Sequence, residues 1–295
     1  MHEGASKEYK EFYQKLKKQL TVSKLFSIDK MRESFETVMK DYPPPQDIDF
    51  ESISIGKIPA LWTLSKGAEK KRILLFFHGG GFIFGSNHSY KGLMGRLSKA
   101  SGHALLSIDY RQAPEHPYPA ALEDALSSYH FLLQNHYAPN QIIMAGDSCG
   151  AGLLLSCMLK LKEDNVPLPA AAICICPWVD LAKINYKRTS DFLDPIQVTL
   201  AARAYGRWNN LKDPLISPLF GNLENLPPLF IQTGTEEIFY DQILQLEEKA
   251  KASGVKVTLE KWKVMMHVWH LFAPHFPEAQ DAIDHIGSFI KQVFR

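Results

Sequence analysis

QIIMAGDSCGAGLLLSCMLKLK, residues 141–162, changes character halfway along. Its opening QIIMA is a short apolar run suited to a buried strand, and its closing AGLLLSCMLKLK reads as a helix. Between them Gly146-Asp147-Ser148-Cys149-Gly150 forms the pattern G-x-S-x-G at a strand-to-helix turn. Such a turn is so tight that side chains on its flanks would collide, and its strain thrusts the serine Oγ above the sheet edge. The pattern alone is common in unrelated loops. The strand before it and the helix after it make Ser148 a candidate nucleophile.

Outward from this junction the chain alternates in the same way. Strand-like runs fall at 50–55, 59–64, 72–77, 103–109, 141–146, 170–176, 228–233 and 256–262, and helical patterns at 119–134, 149–162, 196–209, 241–253 and 278–294. The first two strands adjoin across Gly56-Lys57 and predict a hairpin. The later ones are separated by helices, which predicts a mostly parallel eight-stranded sheet with helices on both faces, an α/β fold. No internal repeat or low-complexity tract interrupts it.

The run RILLFF leads into His78-Gly79-Gly80-Gly81-Phe82. Glycines there let backbone N–H groups approach a ligand without hindrance from a Cβ. Amides placed this way stabilise an oxyanion developing on an acyl group. Gly79, Gly80 and Gly81 are therefore candidates for an oxyanion hole, together with the N–H of Cys149 just after the serine. Cysteine in that place keeps the donor and adds bulk; as a nucleophile it should point away from the base.

HGGGF at 78–82, DYRQAPEHPYPAALEDA at 109–125 and GDSCG at 146–150 resemble the hormone-sensitive-lipase-like family of α/β-hydrolases. The likeness continues through DPLISPLFGNLENLPPLFIQTGTEEI (213–238) and MMHVWHLF (265–272), in the family's order. It implies an α/β-hydrolase fold with a helical cap and a serine carboxylesterase acting without a cofactor. It departs from the family at Cys149 and Ala151, where alanine and glycine are usual. The resemblance puts the triad acid after the seventh core strand, three residues past a glycine, which is Glu237; Asp241 and Glu236 are the alternatives. The base falls after the eighth strand at His267, with His270 as alternative. His267, His270 and His275 do not read as a metal site, because no carboxylate or cysteine lies near them in sequence to complete a ligand set. Tyr110, Arg111 and Glu115 are expected to brace the elbow and the glycine loop from beneath.

The cap is expected from an N-terminal helical segment, residues 1–45, and from an insertion at about 183–212 in a catalytic domain spanning 46–295. Tyr9, Phe12, Tyr13, Leu16 and Leu20 recur at helical spacing; Ser27 and Asp29 offer a new helix start before Met31, Phe35 and Met39; and Pro43-Pro44-Pro45 ends the section. Phe12, Phe26, Phe192, Tyr205 and Trp208 are candidate pocket linings, though each also suits core packing. A hooded apolar pocket favours small soluble esters with short or medium acyl chains. An amide hydrolase on the same fold and an inactive ligand receptor are the rivals, the second disfavoured because serine, acid and histidine are all retained.

With 33 basic against 32 acidic residues the formal net charge is +1, which gives no pull toward nucleic acid or an anionic membrane. The first twenty residues lack the apolar core of a secretory signal, and no run is long enough to span a bilayer. Cys149, Cys157, Cys174 and Cys176 lie in apolar segments and read as buried free thiols in a reducing compartment. A cytoplasmic monomer or homodimer is expected.

Overall fold

A computed structural model describes residues 4–22, 27–183 and 191–295. Two helices lead the chain, α1 (Lys7–Val22) and α2 (Ile28–Met39), the second capped by the Ser27 hydroxyl accepting from the Lys30 amide. The strands β1 (Ile48–Ile55) and β2 (Ile58–Ser65) form the expected hairpin, with Ile55 opposite Ile58. Then follow β3 (Glu69–Phe77), α3 (Lys91–Ser101), β4 (His103–Ile108), α4 (Ala120–Gln134), β5 (Ile142–Asp147) and α5 (Cys149–Glu163). The last third holds β6 (Ala171–Ile175), α6 (Pro195–Gly206), β7 (Leu229–Gly234), α7 (Tyr240–Ala252), β8 (Val257–Trp262) and α8 (Pro277–Val293).

One sheet takes all eight strands in the order β1-β2-β4-β3-β5-β6-β7-β8. Pairs involving β2 are antiparallel and the rest parallel. The largely apolar, buried central strands serve two cores at once, because successive side chains point to opposite faces. On β3, Ile73, Leu75 and Phe77 join the core under α4, α5 and α7, whereas Leu74 and Phe76 join the core under α3 and α8. Each of these five side chains is fully buried, worth about 1.5–3 kcal/mol apiece on folding. That double core fixes the carboxyl ends of β3, β5, β7 and β8, where the candidate residues sit.

α3 has no counterpart in the sequence reading. Gly92 and Gly95 dilute its helical pattern, and glycine weakens an isolated helix by about 1 kcal/mol. Both are needed for packing: a Cβ on Gly92 would lie 2.2 Å from the Tyr42 carbonyl oxygen, and one on Gly95 would press on Pro44, Pro45 and Ile48. The segment of prolines after α2 runs across this smooth helix face.

The leading helices are docked, not free. The Tyr9 hydroxyl donates to the Val264 carbonyl (2.9 Å) and the Ser6 amide to Glu278 on α8 (2.7 Å). α2 is fastened to the chain beyond the glycine loop through Arg32, whose Nε donates to the Ile83 carbonyl (2.8 Å) and whose guanidinium pairs with both oxygens of Glu115. No helix among the described residues is long and apolar enough to cross a membrane. The four cysteines are free and buried.

Candidate active site

Ser148 sits at the mouth of α5 with φ 52° and ψ −122°, a backbone region that side chains other than glycine rarely occupy. The turn persists because it is held at both ends: the Ser148 amide donates to the Ile175 carbonyl (2.9 Å), and its carbonyl accepts from Trp178 (3.0 Å) and Gly152 (3.1 Å). The flanking glycines answer to β3. A Cβ on Gly150 would stand 2.1 Å from the Phe77 carbonyl oxygen, and one on Gly146 would meet Gly150 itself at 2.7 Å.

The loop after β8 brings His267 to this serine. Its Nε2 lies 2.9 Å from Ser148 Oγ and its Nδ1 lies 2.7 Å from Glu237 Oε2. Glu237 is 1% exposed, and its other oxygen accepts from the Thr233 hydroxyl and from the Gly234 amide (3.1 Å). Burial works against a charged imidazole here. The bond and charge of Glu237, joined by the charges of Asp191 and Asp147, outweigh it and hold His267 above its ordinary pKa.

The alternatives lie elsewhere. Asp241 is half exposed at the start of α7, 3.9 Å from the Lys183 ammonium. His270 is buried against Trp269 with Nε2 on the Gln232 side-chain oxygen (2.7 Å), and burial takes its pKa down to about 3. It stays neutral and serves packing. Cys149 Sγ accepts from the Phe82 amide (3.2 Å), and burial pushes its thiol up to about 12. Its sulfur anchors the glycine loop, where the sequence suggested only added bulk.

The glycine loop is tied to the elbow through Asp147. The Gly79 amide donates to Asp147 Oδ1 (2.8 Å) and the Tyr90 hydroxyl to Oδ2 (2.9 Å). Gly79, expected among the oxyanion donors, is thus corrected to an anchor, since its N–H already has a buried carboxylate partner. Burial pushes the Asp147 carboxyl up to about 7 against these two bonds. Tyr90→Phe removes one of them inside a dry pocket and should destabilise the fold by about 1.5–3 kcal/mol, read as a lowered urea midpoint. An unchanged midpoint would show the bond to be idle.

The bracing expected of residues 109–115 divides three ways. The Tyr110 hydroxyl donates to the His78 carbonyl (2.8 Å) with its ring stacked on His78, so it does support the loop. Arg111 pairs instead with Asp124 on α4, and Glu115 lies outside, holding Arg32 of α2. The aromatic linings divide as well. Tyr205 stacks on Phe82 at 3.7 Å, above the glycine loop; Phe12 packs against Phe272 and Phe276; Phe192 reaches Phe272; and Trp208 is 91% exposed and lines nothing. Phe26 lies outside the described residues.

One expectation about metals is overturned in its reasoning. The fold does bring a carboxylate and a thiol to His267: ligand atoms of Cys176, Glu237 and His267 lie within 4.8 Å of one another. Both came from other strands, invisible to sequence spacing. Each imidazole nitrogen already faces Ser148 or Glu237, and burial holds the Cys176 thiol well above its ordinary pKa, which keeps it protonated. The arrangement is that of a hydrogen-bonded relay.

A family model described as alpha/beta hydrolase fold matches residues 74–271. The chain is 39% identical over 253 residues to an acetyl-hydrolase of Streptomyces hygroscopicus, covering 84% of this chain and 83% of that protein. It is 33% identical over 228 residues to an esterase of Acinetobacter venetianus, covering 75% of each. Among solved structures it superposes on an esterase from the bacterial hormone-sensitive lipase family with a TM-score of 0.94 at 34% identity, covering 98% of this chain and 99% of that one. EstE5, soaked with p-nitrophenyl butyrate, matches with a TM-score of 0.92 at 37% identity and the same coverage.

Proposed function

Since the chain belongs to the alpha/beta hydrolase fold family and is a carboxylesterase of the hormone-sensitive-lipase kind, we propose that Ser148, His267 and Glu237 form its triad and that it cleaves small esters with short to medium acyl chains. The observation that carries this reading is the unbroken line Ser148 Oγ, His267, Glu237, with contacts of 2.9 and 2.7 Å in a water-poor setting. His267 Nε2 takes the serine proton as Oγ attacks the ester carbonyl, and Glu237 fixes the tautomer and supports the cation. The N–H groups of Gly80, Gly81 and Cys149 receive the oxyanion, with Gly79 holding their loop in place. The tetrahedral adduct collapses as His267 returns its proton to the leaving alcohol. Water, deprotonated by the same nitrogen, then hydrolyses the acyl-enzyme and regenerates serine. No cofactor enters.

The cap in this reading is α1 and α2 together with the insertion that carries α6. α6 brings Ala201 to 3.3 Å from where a Cβ on Gly81 would stand, and Tyr205 roofs Phe82. α2 clasps the far side of the loop through Arg32 and the Phe35–Phe84 contact. A roof this close leaves room for a limited acyl chain. Each methylene that fits gains about 0.8 kcal/mol, and each that must displace packed side chains costs about 1–3 kcal/mol. With p-nitrophenyl esters from acetate to palmitate, kcat/KM should peak near about four to eight acyl carbons and fall steeply beyond. The names of the relatives, an acetyl-hydrolase and an esterase soaked with a butyrate ester, support the short end. A maximum at palmitate, strengthened at a lipid–water interface, would overturn the substrate class and leave the triad standing.

A further inference from the structure

We propose that Asp191 is a positioning residue for this triad, a carboxylate on the segment entering α6 that clasps the acid loop to the base loop and sets its charge beside His267. The inference rests on the triad reading above and adds a residue to which neither the sequence motifs nor the relatives pointed.

The geometry is specific. Asp191 Oδ2 accepts from the amide of Ile238, the residue after Glu237, at 2.8 Å. Oδ1 accepts from the amide of His267 itself at 3.3 Å and from Phe192 at 2.8 Å. One side chain therefore satisfies a backbone donor on each of the two loops that must meet, loops whose key residues stand 30 positions apart in sequence. Buried amides demand such partners, and this one carboxylate supplies an acceptor to each loop. Asp191 also belongs to the segment that leads into α6, so the roof over the glycine loop and the alignment of acid and base share one anchor.

Charge adds to position. Among the described residues, Tyr9 and Tyr13 on α1, Glu237 on the acid loop and His267 on the base loop feel Asp191; Glu236 acts on the same two tyrosines. His267 faces Glu237, Asp191, Asp147 and the neutral His270. Removal from water pushes the Asp191 carboxyl up to about 6, while His267 and the Ile238 amide pull it back. Asp191 and His267 are coupled through their charges, so the acid limb of the rate profile reports the pair. The sign is fixed: His267 must be neutral to take the serine proton, and a negative neighbour raises its pKa. Removing that charge lowers the pKa and moves the acid limb to lower pH, while the imidazolium formed in the transition state loses support.

D191N tests this with p-nitrophenyl butyrate from pH 5 to 9. The amide cannot accept at both ends, so one loop faces an N–H instead of an oxygen. The expected result is a kcat lower by about tenfold or more with KM little changed, and an acid limb shifted down by about half a pH unit or more. D191E, which keeps the charge, should restore the limb toward wild type. Wild-type kcat and limb in a folded D191N would overturn the proposal; so would a rate loss with the limb unmoved, which leaves packing alone. If D191N does not fold, D191S is judged by the same two readouts. S148A and E237Q run alongside: activity surviving in S148A overturns the triad reading, whereas inactive S148A and E237Q beside an unaltered D191N overturn only the role given to Asp191.

Discussion

Ser148→Ala should lower kcat by about 10⁴- to 10⁶-fold while the protein folds and binds ester as before. The expectation follows from the elbow. Removing Oγ leaves the strained turn intact, because its hold on Ile175, Trp178 and Gly152 is entirely backbone. What disappears is the atom 2.9 Å from His267 Nε2. No neighbour can replace it: Cys149 directs its sulfur to the Phe82 amide, and its thiol is pushed up to about 12. Residual turnover would come from the oxyanion donors and bound water alone. A variant keeping a tenth or more of wild-type kcat in an assay free of contaminating esterase would mean the nucleophile lies elsewhere.

Glu237→Gln should lower kcat by at least about 10²-fold, approaching 10⁴ if the tautomer is fully inverted. The surroundings of the carboxylate decide which way the amide turns. Oε1 lies against two donors, the Thr233 hydroxyl and the Gly234 amide, so the glutamine oxygen must settle there. Its NH₂ then faces His267 Nδ1, which has to accept, and the imidazole proton moves to Nε2. A nitrogen carrying a proton cannot take another from Ser148. Asp241→Asn, at a half-exposed carboxylate 3.9 Å from Lys183, should leave kcat within about twofold, since exposed ion pairs contribute little. Reversal of this ranking would transfer the acid's role to Asp241.

What the sequence made legible was the part written in short-range pattern. All eight strands show as runs of strand length, apolar in the middle of the sheet and alternating in β1 and β8, and the strand–elbow–helix around Ser148 is announced by the G-x-S-x-G pattern itself, with Gly146 closing locally on Gly150. The hairpin at Gly56 is of the same kind. The failures share a different cause. α3 was hidden because Gly92 and Gly95 serve contacts with residues 42–48 at the expense of helix propensity. Gly79 reads like its neighbours until its amide is seen to face Asp147, and Glu115 reads as part of the loop's support until Arg32 of α2 is found across from it. Asp191 carries no motif at all; its meaning arises only where the acid and base loops converge on it. Cys176, ninety-one residues before His267 in the chain, enters the site for the same reason. Side chains that work through tertiary contact leave no periodicity to read.

Labelling with a fluorophosphonate, followed by mass mapping of the modified peptide, tests the central claim most directly. The probe phosphonylates only a serine whose proton an adjacent base accepts, so it reports the assembled relay and not turnover of any chosen ester. One phosphonyl group per chain is predicted, on the peptide containing Ser148. Its rate should rise with pH as His267 becomes neutral, fall by at least about 10²-fold in Glu237→Gln, and vanish in Ser148→Ala. A folded wild-type enzyme that refuses the probe, or one that carries it on a residue other than Ser148, would contradict the account.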